Sequence, residues 1–210
     1  MNISVIGASA GVGLKVVEMA LKNGHNVTTL SRSKISLPNT NNLNSVQGDA
    51  TKAEDLKKVV IGADAVIITL GTGKSTKATT MYSESAAALI QVQKELNTNI
   101  PFIILTGFGA GNSSKYQGFF MKIIFWLLLN AVYKNKTLME EMIAKSTIKW
   151  EFVRPGMLND KEFTGKYRVE TNYAQGMNIG SISRSDVADF LLKQAENPTE
   201  LGKYPALSNK

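Results

Sequence analysis

Two apolar rhythms alternate along the chain. Ile3 to Ile6 is a compact apolar run of strand type; beyond a glycine-rich turn, Leu14 to Leu21 carries apolar residues at helical spacing, with Val16, Val17, Ala20 and Leu21 in phase. Asn23-Gly24 tolerates positive φ and ends this helix, and Asn26 to Leu30, rich in β-branched side chains, predicts a second strand. A βαβ unit thus closes within about 30 residues. The alternation continues with a weak strand at Leu43 to Gln47, a helix through Val60 opened by a Thr51-x-x-Glu54 capping box, an apolar strand at Ala65 to Leu70 and a helix from about Thr79 to Leu96. Next come a strand at Pro101 to Leu105, a long helix within Phe119 to Lys145, a sixth strand at Trp150 to Val153 and a late helix over Asp186 to Glu196. This order predicts an α/β fold, a parallel sheet with helices on both faces. No run of Pro, Ser or Gly is long enough to separate domains, so residues 1–210 are expected to form one. The longest irregular stretches, 33–42, 107–118 and 154–180, are where ligand contacts are expected.

Composition narrows the chemistry. At 210 residues with 43% hydrophobic side chains, folding buries a full core without staples. No Cys and a single His leave no ligand set for a structural zinc and no thiol chemistry, so no metal is expected and catalysis falls to hydroxyls, amines, carboxylates or a borrowed cofactor. The net charge of +7 favours anionic ligands, yet the basic residues are scattered singly or in pairs such as Lys57-Lys58, which argues against nucleic acid. The most apolar stretch, Phe119 to Val132, contains Lys122 and falls short of the roughly 20 residues a membrane helix needs; no membrane partner is expected. The residues Phe119, Phe120, Ile123, Ile124, Trp126 and Leu127 suit a core helix, a lid or a face against a second copy, so monomer and homodimer are both open. The first residues carry no secretory pattern, and a cytoplasmic protein is expected.

The chemistry-bearing residues gather at the ends of the expected strands. Gly7-Ala8-Ser9-Ala10-Gly11-Val12-Gly13 joins the first strand to the first helix, where a dinucleotide fold places its diphosphate against main-chain amides. Read as G-x-x-A-x-x-G, the motif makes Gly7, Ser9, Ala10, Gly11, Val12 and Gly13 cofactor-binding candidates. The second strand ends in Leu30-Ser31-Arg32-Ser33-Lys34, without the carboxylate that holds the ribose of NAD. A guanidinium suits a 2′-phosphate, so NADP(H) is expected over NAD(H), unless Arg32 and Lys34 are merely solvated loop charges. Two roles are open to Asp49, contact with the adenine amino group or capping of the next helix; Ala50 follows it. Leu70, Gly71 and Thr72 lie either along the cofactor or in an ordinary turn. Thr106 and Gly107 open a small-residue loop expected near the nicotinamide, and the Thr106 hydroxyl either serves catalysis there or bonds nearby backbone.

These motifs, with Trp150-Glu151-Phe152-Val153-Arg154-Pro155-Gly156, Thr164-Gly165-Lys166-Tyr167 and Ile182-Ser183-Arg184-Ser185-Asp186-Val187, make the chain resemble the atypical short-chain dehydrogenase/reductase superfamily. Within it the resemblance is to the small NAD(P)H-binding group that includes biliverdin-IX-beta reductase, also called flavin reductase. It implies a single Rossmann-type, doubly wound domain with NADPH along the strand ends and hydride transfer to a flavin, tetrapyrrole, quinone or other small planar acceptor. It further implies that Arg32 binds the 2′-phosphate, Asp49 the adenine and Leu70 and Gly71 the middle of the cofactor, with Arg154, Pro155, Gly156 and Met157 passing beside the nicotinamide. Gly107 and Met157 stand where the biliverdin reductase pattern has Ser and His, so biliverdin is not implied as substrate. The Tyr-x-x-x-Lys pair of ordinary members is also absent: Thr137 lies four residues after Tyr133, while Lys136, three residues on, shares its helix face and is either a candidate for ribose contact or proton donation or an exposed helix charge. The alternative is a catalytically weak redox sensor that binds NAD(P) and reports its state to a partner.

Overall fold

The computed structural model describes residues 1–38, 40–73, 75–118, 127, 129–175, 177 and 179–209. β1 (Asn2–Ile6), α1 (Gly11–Lys22) and β2 (Asn26–Ser31) form the first crossover, followed by β3 (Leu43–Gln47), α2 (Ala53–Val60), β4 (Ala65–Ile68), α3 (Met81–Leu96) and β5 (Pro101–Leu105). After a 3-10 turn at Gly111–Tyr116 come α4 (Asn130–Ala144), β6 (Lys149–Pro155), β7 (Met157–Asn159), β8 (Tyr167–Glu170), β9 (Ser181–Ser183), α5 (Arg184–Glu196) and β10 (Ala206–Asn209).

Eight strands make one sheet in the order β3-β2-β1-β4-β5-β6-β10-β8, while β7 and β9 pair separately. Every neighbour in the large sheet is parallel except β10 and β8. The winding reverses between β1 and β4: β2 lies on one side of β1 and β4 on the other, which opens a crevice at their carboxyl ends. Alternate residues of each inner strand feed opposite cores, as the two-residue period of a strand requires. Ile3, Val5, Ile67, Ile103 and Val153 pack under α1 and α5. Ile6, Val66, Ile68, Phe102, Ile104 and Phe152 pack under α2, α3 and α4. Both faces of the sheet are therefore covered, as a doubly wound Rossmann-type α/β fold demands.

The differences from the sequence reading have local causes. α1 begins at Gly11 rather than Leu14, so two glycines of the turn motif lie inside the helix. The expected capping box does not form: α2 starts at Ala53 after Lys52, and the Thr51 hydroxyl donates to Asp49 Oδ1 instead of capping. Of the helix expected over 119–145, the run 119–126 lies outside the described residues and the described helix is Asn130–Ala144. The stretch 154–180, expected to be irregular, contains β7 and β8, and the buried strand β10 forms where the sequence pattern predicts no element. Strands of three or four residues are too short to show a two-residue alternation.

Candidate functional site: a groove across the strand ends

A groove of about 750 Å³ runs along the carboxyl ends of β1, β2, β4, β5 and β6. Its central wall is the β1–α1 turn, with Gly7, Ser9, Ala10, Gly11 and Val12 in its lining. Gly7 has φ +89°, and a Cβ there would sit 2.8 Å from the Thr69 carbonyl oxygen. Gly13 is a packing residue: a Cβ would fall 2.4 Å from both the Gly7 carbonyl oxygen and Thr69 Oγ1, so α1 can approach the sheet only at a glycine. Ala10, extended at φ −160°, precedes the helix and supplies no side-chain cap. The first-turn amides of α1 thus face the groove without a side-chain acceptor, the arrangement that receives phosphate groups.

One end of the groove is lined by Leu30, Ser31, Arg32, Asp49 and Ala50. Arg32 is exposed, and its main-chain oxygen accepts from Gln47 Nε2 at 2.9 Å. Lys34 is also exposed and is not part of the lining. Asp49 Oδ1 accepts from the Thr51 amide at 2.9 Å and from the Thr51 hydroxyl at 3.0 Å, closing an Asx turn ahead of α2. Its own amide donates to Asp55 Oδ2 at 3.0 Å. Leu70, Gly71 and Thr72 line the opposite wall, and the Thr72 hydroxyl donates to the Ser75 carbonyl at 2.7 Å.

The other end is built from α3, α4 and the ends of β5 and β6, through Met81, Tyr82, Thr106, Leu129, Val132, Tyr133, Lys136, Pro155 and Leu158. Lys136 Nζ donates to the Thr106 carbonyl oxygen at 2.6 Å and lies 4.9 Å from the centre of the Tyr133 ring and 5.3 Å from that of Tyr82. Burial pushes its ammonium down to about 8 against the opposing pull of Glu140. Burial, with Tyr82 and Glu140 adding to it, pushes the Tyr133 phenol up to about 12, so it is neutral and protonated at neutral pH. Asn135 fixes this end: its Oδ1 accepts from the amides of Tyr82 and Ser83 at 3.0 and 3.2 Å, fastening the start of α3 to α4.

Beneath Thr106 lies a buried ion pair. Arg154 on β6 meets Glu140 on α4 with two parallel hydrogen bonds, Nη2 to Oε2 at 2.6 Å and Nε to Oε1 at 3.1 Å. Asn112 Oδ1 takes a third at 2.7 Å, and the Tyr204 ring centre lies 4.2 Å from the guanidinium carbon. The Thr106 hydroxyl donates to Glu140 Oε1 at 2.7 Å and so points into this cluster. Arg154, expected beside the nicotinamide, is outside the groove lining because its guanidinium turns inward to Glu140, and Gly107, Gly156 and Met157 are outside it too. A Cβ on Gly107 would touch the Tyr133 hydroxyl at 2.6 Å, one on Gly156 would meet the Gly180 carbonyl at 2.4 Å, and Met157 is exposed at the start of β7.

The groove therefore brings together Gly7, Ser9, Ala10, Gly11, Val12, Arg32, Asp49, Ala50, Leu70, Gly71, Thr72, Thr106, Lys136 and Pro155, with Gly13 directly behind them. Sequence reading passed over Tyr82, Asn135, Glu140 and Arg184 as site residues. Tyr133, Lys136 and Glu140 recur at helical spacing beside the buried apolar Val132, Met139 and Ile143, a pattern that marks them as inward-facing. Among the described residues no group of three or more acidic or histidine side chains is placed to hold a metal ion, and no helix is long and apolar enough to cross a membrane.

Residues 7–198 match a family described as NAD(P)H-binding. An uncharacterized chloroplastic protein of Arabidopsis thaliana, At2g34460, is 26% identical over 91% of this chain and 71% of its own length. YhfK of Bacillus subtilis, named an uncharacterized sugar epimerase, is 24% identical over 91% of this chain and 86% of its own. Among solved structures, ChuY of Escherichia coli O157:H7, named an anaerobilin reductase, superposes with TM-score 0.78 at 22% identity, covering 100% of this chain and 97% of that one. SP1627 of Streptococcus pneumoniae, described as a candidate NADH-flavin reductase, gives 0.78 at 24% identity with 100% of both chains covered. A short-chain dehydrogenase/reductase from Veillonella parvula in complex with NADP gives 0.83 at 14% identity, covering 99% of this chain and 94% of that one. At these identities the structures share the fold. With nearly its whole length matched, the chain belongs to the NAD(P)H-binding family.

Proposed function

We propose that this chain is an NADPH-dependent oxidoreductase that passes a hydride to a flavin, a quinone or a similar planar acceptor. The observation that carries the reading is the order of groups along the groove: Arg32 at one end, the uncapped first turn of α1 in the middle, and Lys136 between Tyr82 and Tyr133 at the other. That order fits a long dinucleotide with a 2′-phosphate, a central diphosphate and a reacting ring. The glycines at 7 and 13 let the turn and α1 pack tightly against β4, which holds the first-turn amides at the groove where a diphosphate would lie.

In this reading the α1 turn holds the diphosphate, Arg32 the 2′-phosphate, and Asp49, Ala50 and Leu70 to Thr72 the adenosine side and middle. Pro155, with Gly156 and Met157 beyond it, borders the nicotinamide end. A bound reduced nicotinamide coenzyme supplies the hydride, and the protein supplies orientation and charge. Lys136 is the residue whose ammonium offsets negative charge gained by the acceptor and returns a proton to it. Thr106 presents its carbonyl to Lys136 and its hydroxyl to Glu140, which makes it the residue that sets the ammonium's position. Tyr82, Tyr133, Val132, Leu129 and Leu158 give the flat, mostly apolar walls that suit a conjugated ring.

The test is NADPH oxidation followed with a panel of flavins and quinones, wild type against Lys136→Met. Turnover with a planar acceptor that falls in the variant supports the reading, and absence of turnover across the panel contradicts it. A second reading, a redox sensor that binds the coenzyme without turnover, draws on the engagement of both Lys136 and the Thr106 hydroxyl within the protein. Tight coenzyme binding with no oxidation by any acceptor would favour it.

A further inference from the structure

Arg184 stands on the groove wall beside the α1 turn, at the first position of α5. Its backbone is firmly placed. Ile182 and Ser183 before it are buried, Ser183 Oγ accepts from the Asp186 amide at 3.0 Å, and the Asp186 carboxylate gathers the amides of Thr164 and Gly165 at 2.9 and 2.8 Å. The guanidinium itself is only loosely tethered. Its Nη1 donates to Asp160 Oδ1 at 2.8 Å, but Asp160 is 86% exposed, and such a pair contributes little in water. The side chain crosses toward the α1 N-terminus: a Cβ on Gly11 would lie 3.9 Å from Arg184 Nε.

We propose that Arg184 is the side-chain clamp for the coenzyme's diphosphate, closing over it from the side opposite the α1 amides. The inference rests on the dinucleotide reading above and adds a residue that neither the glycine motif nor the 2′-phosphate argument touches. Among the described residues, cationic side chains then line the groove at three stations: Arg32 at one end, Arg184 beside the turn, Lys136 at the other end. A dinucleotide phosphate carries its negative charge at the first two of these. The main-chain amides donate to the diphosphate without neutralising it, and a guanidinium supplies the missing charge with a fork that fits two phosphate oxygens. Asp160 acts as the resting partner that Arg184 exchanges for phosphate.

Because the diphosphate is common to both coenzymes, the clamp predicts a loss that ignores the 2′-phosphate. Calorimetric titration of NADPH and of NADH into Arg184→Ala at fixed ionic strength should show affinity reduced roughly tenfold for both, with Arg184→Lys retaining part of it. Arg32→Ala, in the same series, should weaken NADPH far more than NADH. The unliganded melting temperature of Arg184→Ala should match wild type within about 2 °C, since the ion pair lost is with the exposed Asp160 carboxylate. Wild-type affinity for both coenzymes in Arg184→Ala overturns the proposal, as does a loss confined to NADPH or one seen only as a raised KM for the acceptor. A wild-type protein that binds neither coenzyme removes the dinucleotide reading itself, and the clamp with it.

Discussion

Lys136 Nζ lies 2.6 Å from the carbonyl oxygen of Thr106, so an amine on α4 is fixed to the carboxyl end of β5 at the edge of the groove. The two residues are 30 positions apart in the chain and meet because β5 ends where α4 crosses the sheet. The contact sets the height of the ammonium between Tyr82 and Tyr133 and leaves it further donors to offer.

Burial lowers the Lys136 ammonium to about 8, so its charge is present below that pH and lost above it. Turnover of an acceptor that becomes negative on reduction should fall as pH rises through about 8. Lys136→Met should lower kcat by roughly 100-fold and abolish that limb, because a positioned proton donor is worth about 10²–10⁴-fold. A pH–rate profile of both proteins checks this. An unchanged alkaline limb in the variant would assign the titration to another group.

The Arg154–Glu140 pair should matter for stability more than for charge. Both side chains are almost completely buried, and removing one partner strands the other away from water. Glu140→Gln should cost about 3–5 kcal/mol in urea unfolding. Replacement of both residues, Arg154→Met with Glu140→Leu, should recover a large part of the loss. A single substitution costing less than about 1 kcal/mol would show that water reaches the pair.

Much of this architecture is legible in the chain itself. The alternating rhythms place β1 through β6, and the small residues 7–13 fall on the turn at the centre of the groove. The ion pair is not legible, because Arg154 reads as part of a loop-bound motif and Glu140 as an ordinary helix charge until β6 and α4 are brought together. β10 escapes for another reason: its four residues, with Ser208 and Asn209 at one end, look like a tail, yet they pair with both β6 and β8. Arg184 lies outside every glycine motif, and the packing of the late helix against α1 brings it to the β1–α1 turn.

Gly13 is the position where the groove's geometry and the core's packing coincide. A methyl group there would overlap the Gly7 carbonyl and Thr69 Oγ1, both at 2.4 Å, and the backbone oxygen cannot step aside without moving β1. Gly13→Ala should destabilise the fold by about 1–3 kcal/mol and weaken coenzyme binding together, since the overpacked helix tilts its own N-terminus. Chemical denaturation paired with NADPH titration reads both effects. Full stability in the variant would mean that α1 shifts freely, contrary to the close packing described above.

Glu151 adds a pH dependence unrelated to catalysis. It is fully buried in β6, and burial, with the nearby Glu200 adding to it, pushes its carboxyl up from 4.5 to about 8 against the pull of Lys203. Between those values the folded chain holds a proton that the unfolded chain releases, so stability should decline as pH rises from about 5 to about 8 and then level off as far as this group is concerned. Glu151→Gln should flatten that slope and melt higher than wild type at pH 8. Thermal unfolding between pH 5 and 8 measures it, and parallel curves for the two proteins would place the Glu151 proton elsewhere.

The reading of the groove as a site for a phosphorylated dinucleotide places Arg32 on its 2′-phosphate. Isothermal titration of NADPH and NADH into wild type and Arg32→Ala tests it most directly. NADPH should bind wild type saturably, and Arg32→Ala should lose at least about tenfold more affinity for NADPH than for NADH. No heat with either coenzyme, or equal losses for both, would contradict it.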